Sequence, residues 1–292
     1  MFAKLTVQVR LILVVIIAVM VLLTGCTVKT RIRENPETGI NLTYRMAENQ
    51  VLQYRLLFDI TQEAELMGKS IEANIKNSGK FSARSKGFKE NNFLLGITLD
   101  AIDMQVKSPR GDISPDVSAL TGKTFDIVLS PLGKELEYIG TESLQYELRP
   151  LGKRNLISIF KFLFPDLAGK KVKIGDSWTS KDETVNNDEG IDMHITLDSV
   201  DTLQGVETVN GMECIKVTAR FTGTVDGKGN QWGGQVTIKG KSTGTGTWYF
   251  AYKEGIFVKG TSEMDIKSTT VVSDRNLTIP TTMKIKTETN LI

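Results

Sequence analysis

From residue 43 to the C-terminus, apolar and polar residues alternate with a period of two over most of the chain. In "VLQYRLLFDI", Leu52, Tyr54, Leu56, Phe58 and Ile60 share one face, while Gln53, Arg55 and Asp59 oppose them. "KTFDIVLS" and "TMKIKTET" alternate in the same way. A sheet with one buried and one wet face needs this pattern, because successive strand side chains point to opposite sides. Turn signals separate the runs. "VNGM" carries the two-residue hairpin Asn210-Gly211, and "SPLGK" and "YKEGI" are Pro- or Gly-bearing hairpin loops. Glycine clusters at 223–246. The pattern predicts a mainly β protein, an antiparallel curved sheet or half-barrel.

Two stretches depart from it. "SPDVSALTG" predicts a short helix near 114–121, with Ser114 as N-cap, Pro115 at the first helical position and Gly122 as stop. In "RNLISIFKFLFPDL", Leu156, Ile159, Phe160, Leu163, Phe164 and Leu167 recur at helical spacing, with Ile157 and Phe162 on the flanks. This predicts a helix near 154–166, apolar nearly all round and ended by Pro165. The segment 141–168 would then join two halves, 43–140 and 172–292. "ITLDAID" at 97–103 recurs as "ITLDSVD" at 195–201, each switching its apolar phase after Leu99 or Leu197 as a β-bulge would. Duplication and chance resemblance both account for this.

The N-terminus is of another kind. Lys4 and Arg10 precede or flank an apolar run, Leu11 to Leu23, with no acid before it. A spanning helix needs about 20 apolar residues, so this run is short for one and has the make-up of an export signal. Its exit, Leu23-Thr24-Gly25-Cys26, resembles the lipobox of bacterial lipoproteins. The resemblance implies that residues 1–25 are a signal peptide cut between Gly25 and Cys26. It also implies that Cys26 carries a diacylglycerol with palmitate-like chains and ties the protein to a membrane. An uncleaved N-terminal anchor is the alternative. Residues 26–42 read as the lipidated cysteine and a polar tether, and 43–292 as the β-rich domain. Thr27 stands where many such proteins carry an inner-membrane retention aspartate, which leans towards an outer membrane if the organism has one.

Charge and rare residues exclude several functions. Without Lys4 and Arg10, basic and acidic residues balance at 34 each. A neutral chain with no basic stripe has no footprint for nucleic acid. With Cys26 lipidated, Cys214 is left alone, so no internal disulfide is expected. It alternates with Lys216 and Thr218, away from Ile215, Val217 and Ala219, and reads as an inert thiol. His194 is the only histidine and lies on the polar face with Asp192 and Thr196, which excludes a multi-histidine zinc site. "TGKT" at 121–124 lacks the earlier glycine of a phosphate loop, having Val117 there. No catalytic residue, metal ligand or cofactor is assigned.

The segment 154–167 admits two roles. It packs on the apolar sheet face as core, or it plugs an apolar cavity lined by Leu156, Ile159, Phe160, Leu163 and Phe164. A half-barrel of this outline is similar to the lipoprotein-localisation and mycobacterial lipid-carrying families, though no motif is shared. The chain also resembles β-rich envelope lipoproteins of about this length. The expectation is a non-enzymatic, membrane-anchored envelope protein that binds a lipid or other apolar ligand in a concave sheet. The alternative is a structural module that holds an envelope protein partner.

Overall fold

The computed structural model describes residues 35–292 apart from 110, 149–151, 189 and 232–233. The expected export signal, Cys26 and the expected tether up to residue 34 lie outside the described residues. The first long strands are β1 (Val51–Leu66), β2 (Lys69–Lys89) and β3 (Asn92–Ser108), followed by the short β4 (Gly111–Asp112). Next come β5 (Thr124–Leu129), β6 (Glu135–Ile139) and a small hairpin, β7 (Gln145–Leu148) with β8 (Gly152–Asn155). The second long run is β9 (Ser177–Asp188), β10 (Ile191–Val209), β11 (Met212–Gln231), β12 (Gly234–Ala251), β13 (Ile256–Val272) and β14 (Leu277–Leu291).

All but β7 and β8 belong to one sheet, ordered β6-β5-β3-β2-β1-β14-β13-β12-β11-β10-β9, with β4 on β3. The order is an antiparallel meander whose two chain ends meet in mid-sheet. There β1 and β14 pair from Tyr54–Leu291 to Ala64–Thr281. Residues 140–176 carry the chain from the margin β6 to the margin β9. Strand twist coils so wide a sheet, and at one end its margins meet. Lys134 Nζ, just before β6, lies 2.8 Å from Asp182 Oδ1 on β9, and Lys161 donates to Thr184 Oγ1 at 2.6 Å. The result is a mainly β, antiparallel, curled half-barrel.

Inside the closed end sits the core. Tyr54, Phe81, Leu95, Ile97, Ile127 and Phe250 are nearly or wholly buried. Tyr54 stacks on Phe81 at 5.2 Å and on Phe257 at 6.2 Å, and Trp178 meets Trp248 edge-on at 5.9 Å. Each such side chain stabilises the fold by about 1.5–3 kcal/mol through burial. The predicted hairpin at Asn210-Gly211 is present, with φ of 50° and 76°. Both residues are left-handed, as the turn that matches strand twist requires.

Both helices come out shorter than expected. Of 114–121, only Ser118–Leu120 forms a 3-10 turn. The amides of Ser114 and Ser118 are taken by the carboxylates of Asp112 and Asp116, at 2.9 and 3.0 Å, and such local bonds compete with a helix. Ser114 Oγ accepts from Val106 N and caps nothing. Of 154–166, only Leu156–Phe160 is helical, again 3-10, and Phe162 turns left-handed at φ 62°.

The domain limits shift too. Ile40 and Val172 exchange two backbone bonds and Leu42 is buried, so the end of the expected tether is already part of the fold. Of the two predicted bulges, β3 has one, with Asp100 unpaired between Leu99 and Ala101. β10 runs in unbroken register from Leu197 to Leu203 and slips at Gln204 instead. The two copies of the motif therefore differ in structure.

Candidate functional site

The apolar face is filled at the closed end only. One row past the core, Ile75, Ile60, Ile285 and Met264 lie side by side on β2, β1, β14 and β13. The next row carries Gln62, Met283 and Ile266, and Leu197, Ile195 and Val225 continue the same face on β10 and β11. All these side chains are half-buried. Ile60, Ile285, Met264, Met283, Ile266, Leu197, Ile195 and Val225 join none of the three core clusters. Beyond them a small cluster of Ile191, Val236 and Val272 ties the strand ends together. An apolar stretch of inner wall, spanning most of the long strands, thus lies between two packed regions with no described segment over it.

Glycines shape this wall. Gly244 stands in the first row between Met264 and Phe221, and Gly223 faces Ser242 in the next. A Cβ at Gly246 would meet the Phe221 ring, and one at Gly223 the Thr196 carbonyl and Ser242 Oγ. The sheet curls tightly here because these positions have no side chain.

A polar belt separates the wall from the core. Asn77, Phe58, Thr287 and Ser262 lie in register across β2, β1, β14 and β13. Ser262 Oγ and Thr287 Oγ1 are 2.7 Å apart. Asn77 is 7% exposed, and its Oδ1 has no hydrogen-bond partner. On β10, Asp201 accepts from Trp248 Nε1 at 2.9 Å and Ser199 Oγ at 2.6 Å, while burial pushes its carboxyl above the ordinary range.

The residues expected to line a cavity are placed elsewhere. Leu156, Phe160, Leu163 and Phe164 are buried core, and Ile159 packs on them half-buried. The void beside Phe164 is about 10 Å³, too small to admit a ligand. This corrects the cavity-lining role in favour of the core role. The reason is Glu135, a residue the sequence pattern did not single out. Its carboxylate accepts from the amides of Phe162, Leu163 and Phe164 at 2.8, 2.9 and 3.1 Å and from the Tyr138 hydroxyl at 2.5 Å. Burial lifts it to about 7, with these hydrogen bonds opposing.

The opposite face bears a polar trough of about 930 Å³. Two rows cross seven strands along it. One runs Gln105, Lys76, Asp59, Lys286, Glu263, Thr245, Arg220, and the other Asp103, Ser78, Leu57, Glu288, Thr261, Thr247, Thr218. A twisted sheet curled one way across its strands is hollowed the other way along them, which accounts for the trough. Its charges alternate, and Lys286 pairs with Glu263 at 3.0 Å, so it presents no field of one sign. His194 is half-exposed and 2.6 Å from Glu183, as a surface pair. Cys214 is buried, and burial pushes its thiol up to about 11, which leaves it unreactive near neutrality.

No protein-family model matches the chain, and no curated protein is similar to it. Among solved structures it is similar to an outer membrane channel from Pseudomonas putida F1, with TM-score 0.35 and 8% identity, over 85% of this chain and 97% of that one. It is similar to a protein with a YmcC-like fold from Bacteroides fragilis, with TM-score 0.22 and 10% identity, over 86% and 98%. A DUF1329 family protein from Desulfovibrio piger gives TM-score 0.18 and 13% identity, over 81% and 84%. At these scores no function passes from them to this chain.

Proposed function

We propose that this chain is a non-enzymatic, lipid-anchored protein of the bacterial cell envelope that binds the acyl part of a lipid on the uncovered inner wall of its half-barrel. The observation that carries the reading is the row Ile60, Ile285, Met264 with its neighbours Met283 and Ile266, half-buried and outside every core cluster. Apolar surface left open at this scale marks a site for an apolar ligand. Two methionines on it, Met264 and Met283, adapt to chains of varied shape. The export signal and the Leu23-Thr24-Gly25-Cys26 exit support the envelope location, and Thr27 supports the outer membrane.

Binding of an uncharged fluorescent acyl probe, a monoacylglycerol with a labelled chain, to the processed protein tests the site. Met264→Lys places a charge in the first row and is expected to weaken the probe at least tenfold while leaving the thermal midpoint nearly unchanged. Equal binding by the variant would overturn the assignment of the wall. Cys26→Ser tests the anchor: the precursor is expected to stay uncut and to take up no acyl label, and label on that variant would refute lipidation at Cys26. A second reading, an envelope interaction module, is favoured by the polar trough, whose hydrogen-bonding rows suit a protein partner.

A further inference from the structure

Asn77 is the feature that neither packing nor stability accounts for. A buried acceptor with no donor destabilises the fold, and an apolar residue of similar size would remove that cost. It sits in the apolar phase of its strand, between Ile75 and Gly79, at the boundary between the packed core and the uncovered wall. Its row neighbours Thr287 and Ser262 satisfy each other. Asn77 Oδ1 is therefore the belt's one unpaired buried side-chain atom among the described residues.

We infer that Asn77 receives the polar head of the bound amphiphile, which lies head-in, its chain running outward over the apolar rows. This inference rests on the wall being the ligand site. The chemistry sets the head-group class. An amide oxygen accepts, so the head supplies an O–H or N–H. The belt and the two rows beyond it, from β2 to β12, carry no charged side chain on this face. An ionised head would be buried there without a counter-charge, at high cost. The fitting class is thus an uncharged, hydroxyl- or amide-bearing lipid, such as a long-chain alcohol or a monoacylglycerol, and not a fatty-acid anion.

The test compares hexadecan-1-ol with its methyl ether, each displacing the fluorescent acyl probe, on wild type, Asn77→Leu and Asn77→Val. The two ligands share a chain and differ in the donor. On wild type the alcohol is expected to bind roughly tenfold more tightly than the ether, the effect of one buried hydrogen bond. Both variants should level the two ligands by weakening the alcohol. If wild type binds probe and both ligands with no preference, or if either folded variant keeps the preference, the head-in assignment is overturned while the apolar wall stands. If the probe itself does not bind wild type, the wall reading fails and this inference with it.

Discussion

At Gly223 a methyl group would press against the Thr196 carbonyl and the Ser242 hydroxyl, both fixed by the β10–β11–β12 register. Gly205, beside the slip in β10, has open space around the same position and no left-handed backbone. The two therefore separate steric need from mere presence of glycine. Gly223→Val is expected to cost about 1–3 kcal/mol, as overpacking does. Gly205→Ala should stay within about 0.5 kcal/mol, as surface changes do. Urea midpoints at unchanged slope measure both. Asn77 was legible in a limited sense. A polar residue in the apolar phase of "IEANIKNSGKF" marks an inner-face exception, but the sequence does not show whether a neighbour satisfies it.

At the scale of elements, the segment after β8 is decided by one carboxylate. Six apolar residues at helical spacing predicted a helix, yet the chain leaves the helix at Lys161 and gives three amides in succession to Glu135. Pattern records which residues want burial, and it leaves open which acceptor a buried amide will find. A 3-10 turn followed by a clamp buries the same side chains on several sides at once. This clamp makes stability depend on pH. Burial raises Glu135 from an ordinary 4.5 to about 7, so folding takes up a proton in between. The contribution is fully present below pH 4.5 and is lost as pH rises through 7, by up to about 3 kcal/mol. Asp166, lifted by burial to about 6, acts in the same sense at lower pH. Lys134, Lys161, Tyr138 and Tyr44 are the other titratable groups that interact with Glu135. The melting temperature is expected to fall between pH 5 and pH 8, and Glu135→Gln should flatten the upper part of that fall. An equal fall in the variant would show that another group is responsible.

For the whole molecule, the meander order has a consequence for access. Its chain ends meet at β1 and β14, so its margins, β6 and β9, must be joined by a long crossing. That crossing, residues 140–176, packs into the closed end and covers the core there. Its described residues do not extend over the rows of Ile60, Ile285 and Met264. The N-terminal segment docks at the same closed end, through Ile40 on Val172 and Ile174 on Pro36. Chain entry and packed core thus share one end, and the uncovered wall lies towards the other.

The sequence by itself determined the β class, the hairpins and the solvated histidine, whereas Cys214, expected on the polar face, is buried with Ala251, Ile256 and Val258. The first three follow from the period of two or from one local turn, which depend on neighbours in the chain. Only the tertiary structure decided which apolar residues were core and which were left open. Leu156, Phe160 and Leu163 differ from Ile60, Ile285 and Met264 in period, yet all are apolar on a periodic face, and nothing in the sequence marks which set is covered. The first set is buried because the margins close over it, and the second is half-exposed because the crossing ends short of it. Burial depends on what arrives from distant parts of the chain, and strand alternation holds no record of that.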